Sequence, residues 1–165
     1  MSSEWRPDDS LLERGQKGEV KGVRRVIDAL KNRGVRYGNR VITSRDKGMA
    51  DVQRDLKRGP MPAGIQQWQI PIAIGPAEDI LFFAGVHKPG AKVPEHTHKD
   101  AVLHIVVKGS MKHRGRVLKA GDWILVPPGQ SYSLVTGPDG CWTCYVHFGW
   151  SDAAARGGAA SLYAE

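Results

Sequence analysis

Gly90-Ala91-Lys92-Val93-Pro94-Glu95-His96-Thr97-His98-Lys99-Asp100-Ala101-Val102-Leu103-His104 holds three of the six histidines in a chain of 165 residues. Side chains along a strand repeat every two residues, so His96 and His98 share a face. Two imidazoles on one face, aimed into a β-barrel, hold a divalent metal through neutral ring nitrogens at about 2.0–2.1 Å. His104 follows a connection long enough for the chain to reverse or to cross to a facing sheet. A third nitrogen there completes a facial set that leaves positions open for water, oxygen or substrate.

Outward from this stretch the punctuation is that of strands. Short apolar runs at 65–74, 80–87, 91–98, 102–108, 111–118, 123–126, 131–136 and 141–150 alternate with Pro-Gly, Lys-Gly, Ala-Gly-Asp and Gly-Pro-Asp-Gly turns. Such runs predict an antiparallel sandwich or barrel. No helical period interrupts them, which argues against a doubly wound α/β fold. The fold class is all-β with a helical N-terminal extension.

Gly90, His96, His98 and Gly109 match the pattern G-x5-H-x-H followed by Glu and Gly. Gly121, Pro127 and Gly129 match a second pattern, G-x5-P-x-G-x2-H. On these residues the sequence resembles the cupin superfamily, and in particular small single-domain jelly-roll cupins of the RmlC-like kind. The motifs cover residues 90–132 and the strand pattern extends the likeness to about 65–150. The resemblance implies an antiparallel jelly-roll barrel with a metal in its lumen. It implies ligands at four positions, of which this chain keeps His96 and His98. The family's Glu falls on Val102 and its second-motif His on Tyr132.

Two other histidines are candidates for the missing ligands. His104 lies two residues beyond Val102 and so keeps the lumen-facing side. The resemblance also implies that the final strand lies beside the strand of Val102, which brings His147 near His104. Parity opposes His147, because Trp142, Cys144, Val146 and Phe148 read as the apolar face of that strand. The metal set is therefore His96, His98, His104 and His147, with Tyr132 the catalytic candidate, ligating the metal or lining the pocket. Phe82, Trp123 and Trp142 are expected to shape its walls. His87 and His113 match no motif position and read as surface or strand-face residues.

Charge separates the chain into regions. Residues 1–60 carry 15 Lys/Arg against 9 Asp/Glu, so most of the net charge of +7 sits there. Val20, Val23, Ile27 and Leu30 recur at helical spacing over 19–33, with Gly34 as a stop, and a second helix is expected over 50–58. Gly22 weakens the first helix by about 1 kcal/mol relative to Ala. Without a helix-turn-helix, zinc-finger ligands or a basic-aromatic RNA motif, the basic face reads as solvated and the apolar stripe as packed on the main domain or a second subunit. The expected organisation is 1–60 as a basic helical extension, 61–152 as the barrel and 153–165 as a flexible tail. No apolar run is long enough to span a bilayer and no secretory signal is visible at the N-terminus, so a cytoplasmic protein is expected. Cys141 and Cys144 lack the second pair of a zinc ribbon. At i and i+3 on a strand they diverge, and they read as free thiols.

A three-histidine site without a carboxylate leaves the metal its full +2 charge, which favours anionic, chelating substrates and Lewis-acid activation. The chain is similar to three-histidine iron dioxygenases, and residues 102–109 to small dioxygenases acting on aryl ketones. The resemblance implies a mononuclear non-haem iron-type dioxygenase acting on a small diketone-like or aryl-ketone substrate. The alternatives are a non-catalytic small-molecule or metal-sensing cupin with a regulatory role, and a metal-assisted isomerase or lyase. The expected cofactor is Fe(II), with nickel, zinc or manganese as alternatives. The expected partners are a small-molecule substrate and a second copy in a homodimer. No membrane or nucleic-acid partner is expected.

Overall fold

Helices come first in the chain and strands after them. The computed structural model describes residues 5–16, 18–36, 41–71 and 80–148. A 3₁₀ turn at Ser10–Leu12 precedes α1 (Lys21–Asn32) and α2 (Met49–Asp55). The strands are β1 (Ile65–Gln69), β2 (Ile80–His87), β3 (Lys92–His96), β4 (Ala101–His113), β5 (Arg116–Lys119), β6 (Trp123–Val126) and β7 (Tyr132–Phe148). The expected runs at 80–87 and 123–126 keep their bounds. Those at 102–108 and 111–118 instead form one long strand and a short partner, because β4 passes through Gly109 with a bulge and turns only after His113. The expected tail at 153–165 lies outside the described residues.

All pairings are antiparallel, in the order β1-β2-β7-β4-β5, with β3 paired to β7 and β6 to β4. The long β7 therefore touches β2, β4 and β3 and acts as the spine of the barrel. Gly109 lets β4 and β7 meet: a Cβ at this position (φ 76°) would fall 2.1 Å from the Gly140 carbonyl oxygen. The closing glycine of the first motif is thus required by backbone contact.

Alternation along the strands fixes the two faces. On β2, Leu81, Phe83, Gly85 and His87 are buried, whereas Phe82, Ala84 and Val86 are half-buried on the outside. On β7, Cys141, Thr143, Tyr145 and His147 are buried, while Trp142 is 51% exposed. The expected polarity of the last strand is reversed at Trp142 and His147, with the histidine facing the lumen and the tryptophan facing out. Val146, 7% exposed, is buried as well, and both faces of the strand are covered there. Trp123, at 63% exposure, is also outside. Phe82, Trp123 and Trp142 therefore do not wall the pocket. Apolarity misled here because the outer face carries large apolar residues too, whereas the lumen is lined with polar rings.

The N-terminal helices pack on this barrel. Val20 and Val23 join Leu81, Phe83, Val102 and Tyr145 in one buried cluster, and Val26, Ala29 and Leu30 join Val35, Met49, Val52 and Leu56 in another. Helix α1 thus bridges α2 and the sheet. Gly22 is needed where the helix meets the sheet, since a Cβ there would lie 2.6 Å from Leu81 Cδ1. Its carbonyl accepts a hydrogen bond from Gln69 Nε2 at 2.8 Å.

Three of the N-terminal arginines hold structure together. Arg25 Nη2 donates to the Asp55 and Lys57 carbonyls at 2.9 and 2.7 Å, satisfying the open C-terminal end of α2. Arg33 pairs with Asp55 through two hydrogen bonds, and Arg24 with Asp28 four residues on. Cys141 and Cys144 are free thiols, and burial pushes the Cys141 thiol up to about 11. Among the described residues no helix is long and apolar enough to cross a membrane.

Candidate metal centre

β3 ends at His96, and the chain turns within two residues, so His98 sits just past the strand. The two rings still converge: their Nε2 atoms lie 3.1 Å apart, with ring planes at 89°. The partner of each Nδ1 decides the tautomer. His96 Nδ1 is 2.7 Å from the Pro94 carbonyl, which only accepts, so this nitrogen carries the proton. His98 Nδ1 is 3.1 Å from Asp9 Oδ1, a carboxylate oxygen, and donates to it. In the neutral rings both Nε2 atoms then present lone pairs to one another. Burial lowers the pKa of His96 and favours its neutral form. Two lone pairs at this spacing need a cation between them, a proton or a metal. A separation of 3.1 Å also suits two adjacent ligands bound at ~2.1 Å to one ion.

Tyr132 lies beside the pair because β7 starts opposite β3, with His96 facing Tyr132 in register. Its hydroxyl is 3.3 Å from His98 Nε2 and 2.9 Å from His104 Nε2. The hydroxyl donates its one proton to one of these nitrogens at a time, and the oxygen stands at ligand spacing from His98. Burial pushes the phenol's pKa well up, so without a cation it stays protonated.

A family model of the ChrR cupin-like domain matches residues 83–151. Over these residues the β-rich part of the chain resembles a cupin-like domain, in keeping with its antiparallel barrel. Solved structures with a similar fold include an RmlC-like cupin from Shewanella frigidimarina (23% identity, 53% of this chain and 78% of that one, TM-score 0.45). A polyketide cyclase, RemF, from Streptomyces resistomycificus is 23% identical over 58% of this chain and 75% of that one, with TM-score 0.48. The complex of SigE with the anti-sigma ChrR from Rhodobacter sphaeroides is 16% identical over 73% of this chain and 76% of that one, with TM-score 0.47. No curated protein matches the chain.

Within this barrel, the position of the family's Glu is apolar in full. Val102 is completely buried in the cluster beneath α1. His104 is buried on the same side of β4, as parity predicts, and its ring stacks on Tyr145 at 5.1 Å between centroids. Burial holds it neutral, with its pKa pushed down to about 3. His147 faces the lumen too: it pairs in register with Val102 and sets its ring edge-on to His98 at 4.9 Å. Its Nδ1 is buried without a hydrogen-bond partner, and burial lowers its pKa well below the ordinary value. Even so, among the described residues no three His, Cys, Asp or Glu side chains come together as a metal-holding group. The converging donors are His96, His98 and the Tyr132 oxygen, and this phenol stands between His98 and His104.

Several lining residues have no signal in the motifs. His87, expected on a strand face, is buried in the same cavity as His96, His98 and Tyr132, and burial pushes its pKa down to about 4. The strict alternation of β2 places it inside once the face of Phe83 is known. Arg58 Nη1 donates to the Tyr145 hydroxyl at 2.9 Å, which donates in turn to Gln67 Oε1 at 2.6 Å. Trp5 packs edge-on against His96 at 5.3 Å. The cavity these groups enclose has about 30 Å³ of free space, room for one or two waters. His113 is elsewhere, its Nδ1 2.9 Å from the Ser133 carbonyl.

Proposed function

We propose that the chain binds one divalent cation through Nε2 of His96 and His98, with Tyr132 as the adjoining oxygen donor and His104 and His147 closing the lumen behind them. The observation that carries this reading is the pair of ring nitrogens facing each other at 3.1 Å while both Nδ1 atoms are engaged elsewhere. Imidazole donors suit iron, nickel and zinc, whereas manganese favours oxygen ligands, and Fe(II) is the ion we expect. When bound, the ion supplies Lewis acidity toward a chelating anion and, as iron, a place for oxygen chemistry.

The chain's own residues do the rest. The Tyr132 hydroxyl holds one proton between His98 and His104 and can hand it to a ligand oxygen in either place. Arg58 fixes positive charge at the pocket wall through Tyr145 and suits an anionic ligand. Trp5, Met61 and Val93 exclude bulk water. This donor set supports dioxygenase-type oxidation of a small diketone-like or aryl-ketone enolate. Iron-loaded protein is expected to consume oxygen in step with loss of a 1,3-diketone or hydroxyaryl ketone. Turnover that proceeds equally without oxygen would move the reading to isomerase or lyase chemistry. A second reading, ligand or metal sensing without catalysis, is favoured by the small free volume of the cavity, about 30 Å³; metal binding with no turnover of any enolisable substrate selects it.

A second copy of the chain is the partner we propose, and a reducing cytoplasm, in keeping with the free thiols, is the compartment. Trp123, Trp142, Val107 and Leu125 stand out on the outer face of adjacent strands β6, β4 and β7, at 63, 51, 50 and 43% exposure. Half-buried Leu103 and Ile105 fill the space between them. An apolar sheet face of this kind marks an interface. Sedimentation is expected to give twice the chain mass, reduced to the single mass by Trp123→Glu with Trp142→Glu; a wild-type monomer at micromolar concentration contradicts it.

A further inference from the structure

The pocket mouth is closed by a segment far from the barrel in sequence. Trp5 and Pro7 line the cavity, and Asp9, 89 residues before His98, holds that ring's Nδ1. Between them, the Asp8 carbonyl accepts from Arg58 Nη2, and Trp5 Nε1 donates to the Pro60 carbonyl at 3.0 Å. Downstream the segment is anchored, because Leu11 and Leu12 pack on the buried cluster of Val20, Val23 and Leu81. Upstream of that anchor, residues 5–9 are held by these hydrogen bonds and by Trp5, which packs on His96 and on the buried cluster that includes Val93 and Tyr132. Opening the segment therefore means releasing Trp5 from this cluster, a local event smaller than unfolding the barrel. With it in place the cavity has about 30 Å³ of free space, too little for any organic ligand.

We propose that Trp5–Asp9 is a strap that shuts the pocket and positions His98 through Asp9, so that metal binding and strap docking reinforce each other. The proposal rests on the metal-binding reading above. A carboxylate that accepts the second N–H of a ligating imidazole fixes its tautomer and raises its basicity. Here this carboxylate lies on the movable piece. Strap docking therefore turns the His98 lone pair toward His96, and a cation seated between the rings holds Asp9 in place. Linkage makes the two effects equal in free energy. Asp9 is a positioning residue, and Trp5 is the door.

The test uses the full chain and Zn(II) as the probe, read by calorimetric titration, by amide hydrogen exchange of residues 5–12 and by the rate at which a chelator removes the metal. Zn(II) is expected to slow exchange across residues 5–12 several-fold. Asp9→Asn is expected to weaken Zn(II) binding about 10- to 100-fold, with Asp9→Glu recovering most of the loss. Trp5→Ala is expected to speed removal by chelator about ten-fold, since it opens the mouth and leaves Asp9 in place. Unchanged exchange on metal binding, or wild-type affinity in Asp9→Asn, overturns the strap while leaving the metal site standing. A loss that Asp9→Glu does not restore and that follows a lower urea midpoint overturns it as well, as a stability effect. Wild-type protein that takes up no Zn(II) overturns the metal reading itself, and the coupling with it.

Discussion

Replacing His96 and His98 together by alanine is expected to abolish stoichiometric metal. Protein purified without chelators should fall from near one ion per chain to below about a tenth, because the variant keeps only the Tyr132 oxygen of the three converging donors. The fold should survive. His96 is half-buried and His98 buried, but both are polar and neither belongs to the apolar clusters. Elemental analysis and a urea titration on the same samples check both halves. Undiminished metal in the double variant would move the site elsewhere in the lumen, toward His104 and His147.

Phe83→Ala is expected to cost about 3–5 kcal/mol, the largest stability loss of any single truncation we consider. Phe83 is 1% exposed and stacks on Tyr145 at 4.9 Å between centroids and 13° between planes. Arg58 lies 4.8 Å above its ring and His147 edge-on at 5.7 Å. One face of this ring thus belongs to the cluster beneath α1, and its surroundings to the pocket. The cavity left by truncation should loosen the hold of α1 on the sheet and the Arg58–Tyr145–Gln67 chain together. The midpoint of urea unfolding measures it, and a loss under about 1 kcal/mol would show that α1 and the barrel are not one core.

The barrel was legible in the sequence because its signals are local: turn glycines and prolines bound each run, and the H-x-H pair sits in a recognisable frame. Gly109 and Gly129 mark backbone requirements that any side chain would break or strain. The basic N-terminal third was legible as helical. Its packing was not, because a stripe such as Val23 and Leu30 says that a helix buries a face and not what it is buried against. The last strand was misread because large apolar residues usually point inward; here Trp142 points out and His147 in, a reversal that only the register with Val102 and Leu81 reveals. Asp9, Arg58 and His87 were invisible as site residues for a related reason. Asp9 and Arg58 reach the pocket through hydrogen bonds across 89 and 87 residues of chain, and His87 through the parity of a strand whose face was not yet known. No spacing rule connects Asp9 to His98.

The absent Glu ligand is the sharpest departure from the cupin pattern, and the structure gives it a physical setting. Val102 closes the apolar cluster on which Val20 and Val23 sit, so a carboxylate there would be buried beneath the helix that this chain adds to the barrel. The strap supplies a carboxylate instead at Asp9, outside the lumen and one imidazole removed from the proposed ion. The charge of the site is thus moved from a ligand to the partner of a ligand.

The most direct test of the account is a Co(II) or Zn(II) titration of metal-free wild-type protein, followed by calorimetry. Facing lone pairs on His96 and His98 predict one ion per chain, bound in the micromolar range or tighter. Protein that binds no ion at millimolar metal, with its stability unchanged by metal or chelator, would show that a shared proton alone holds the two rings together, and would contradict the reading of this pocket as a metal centre.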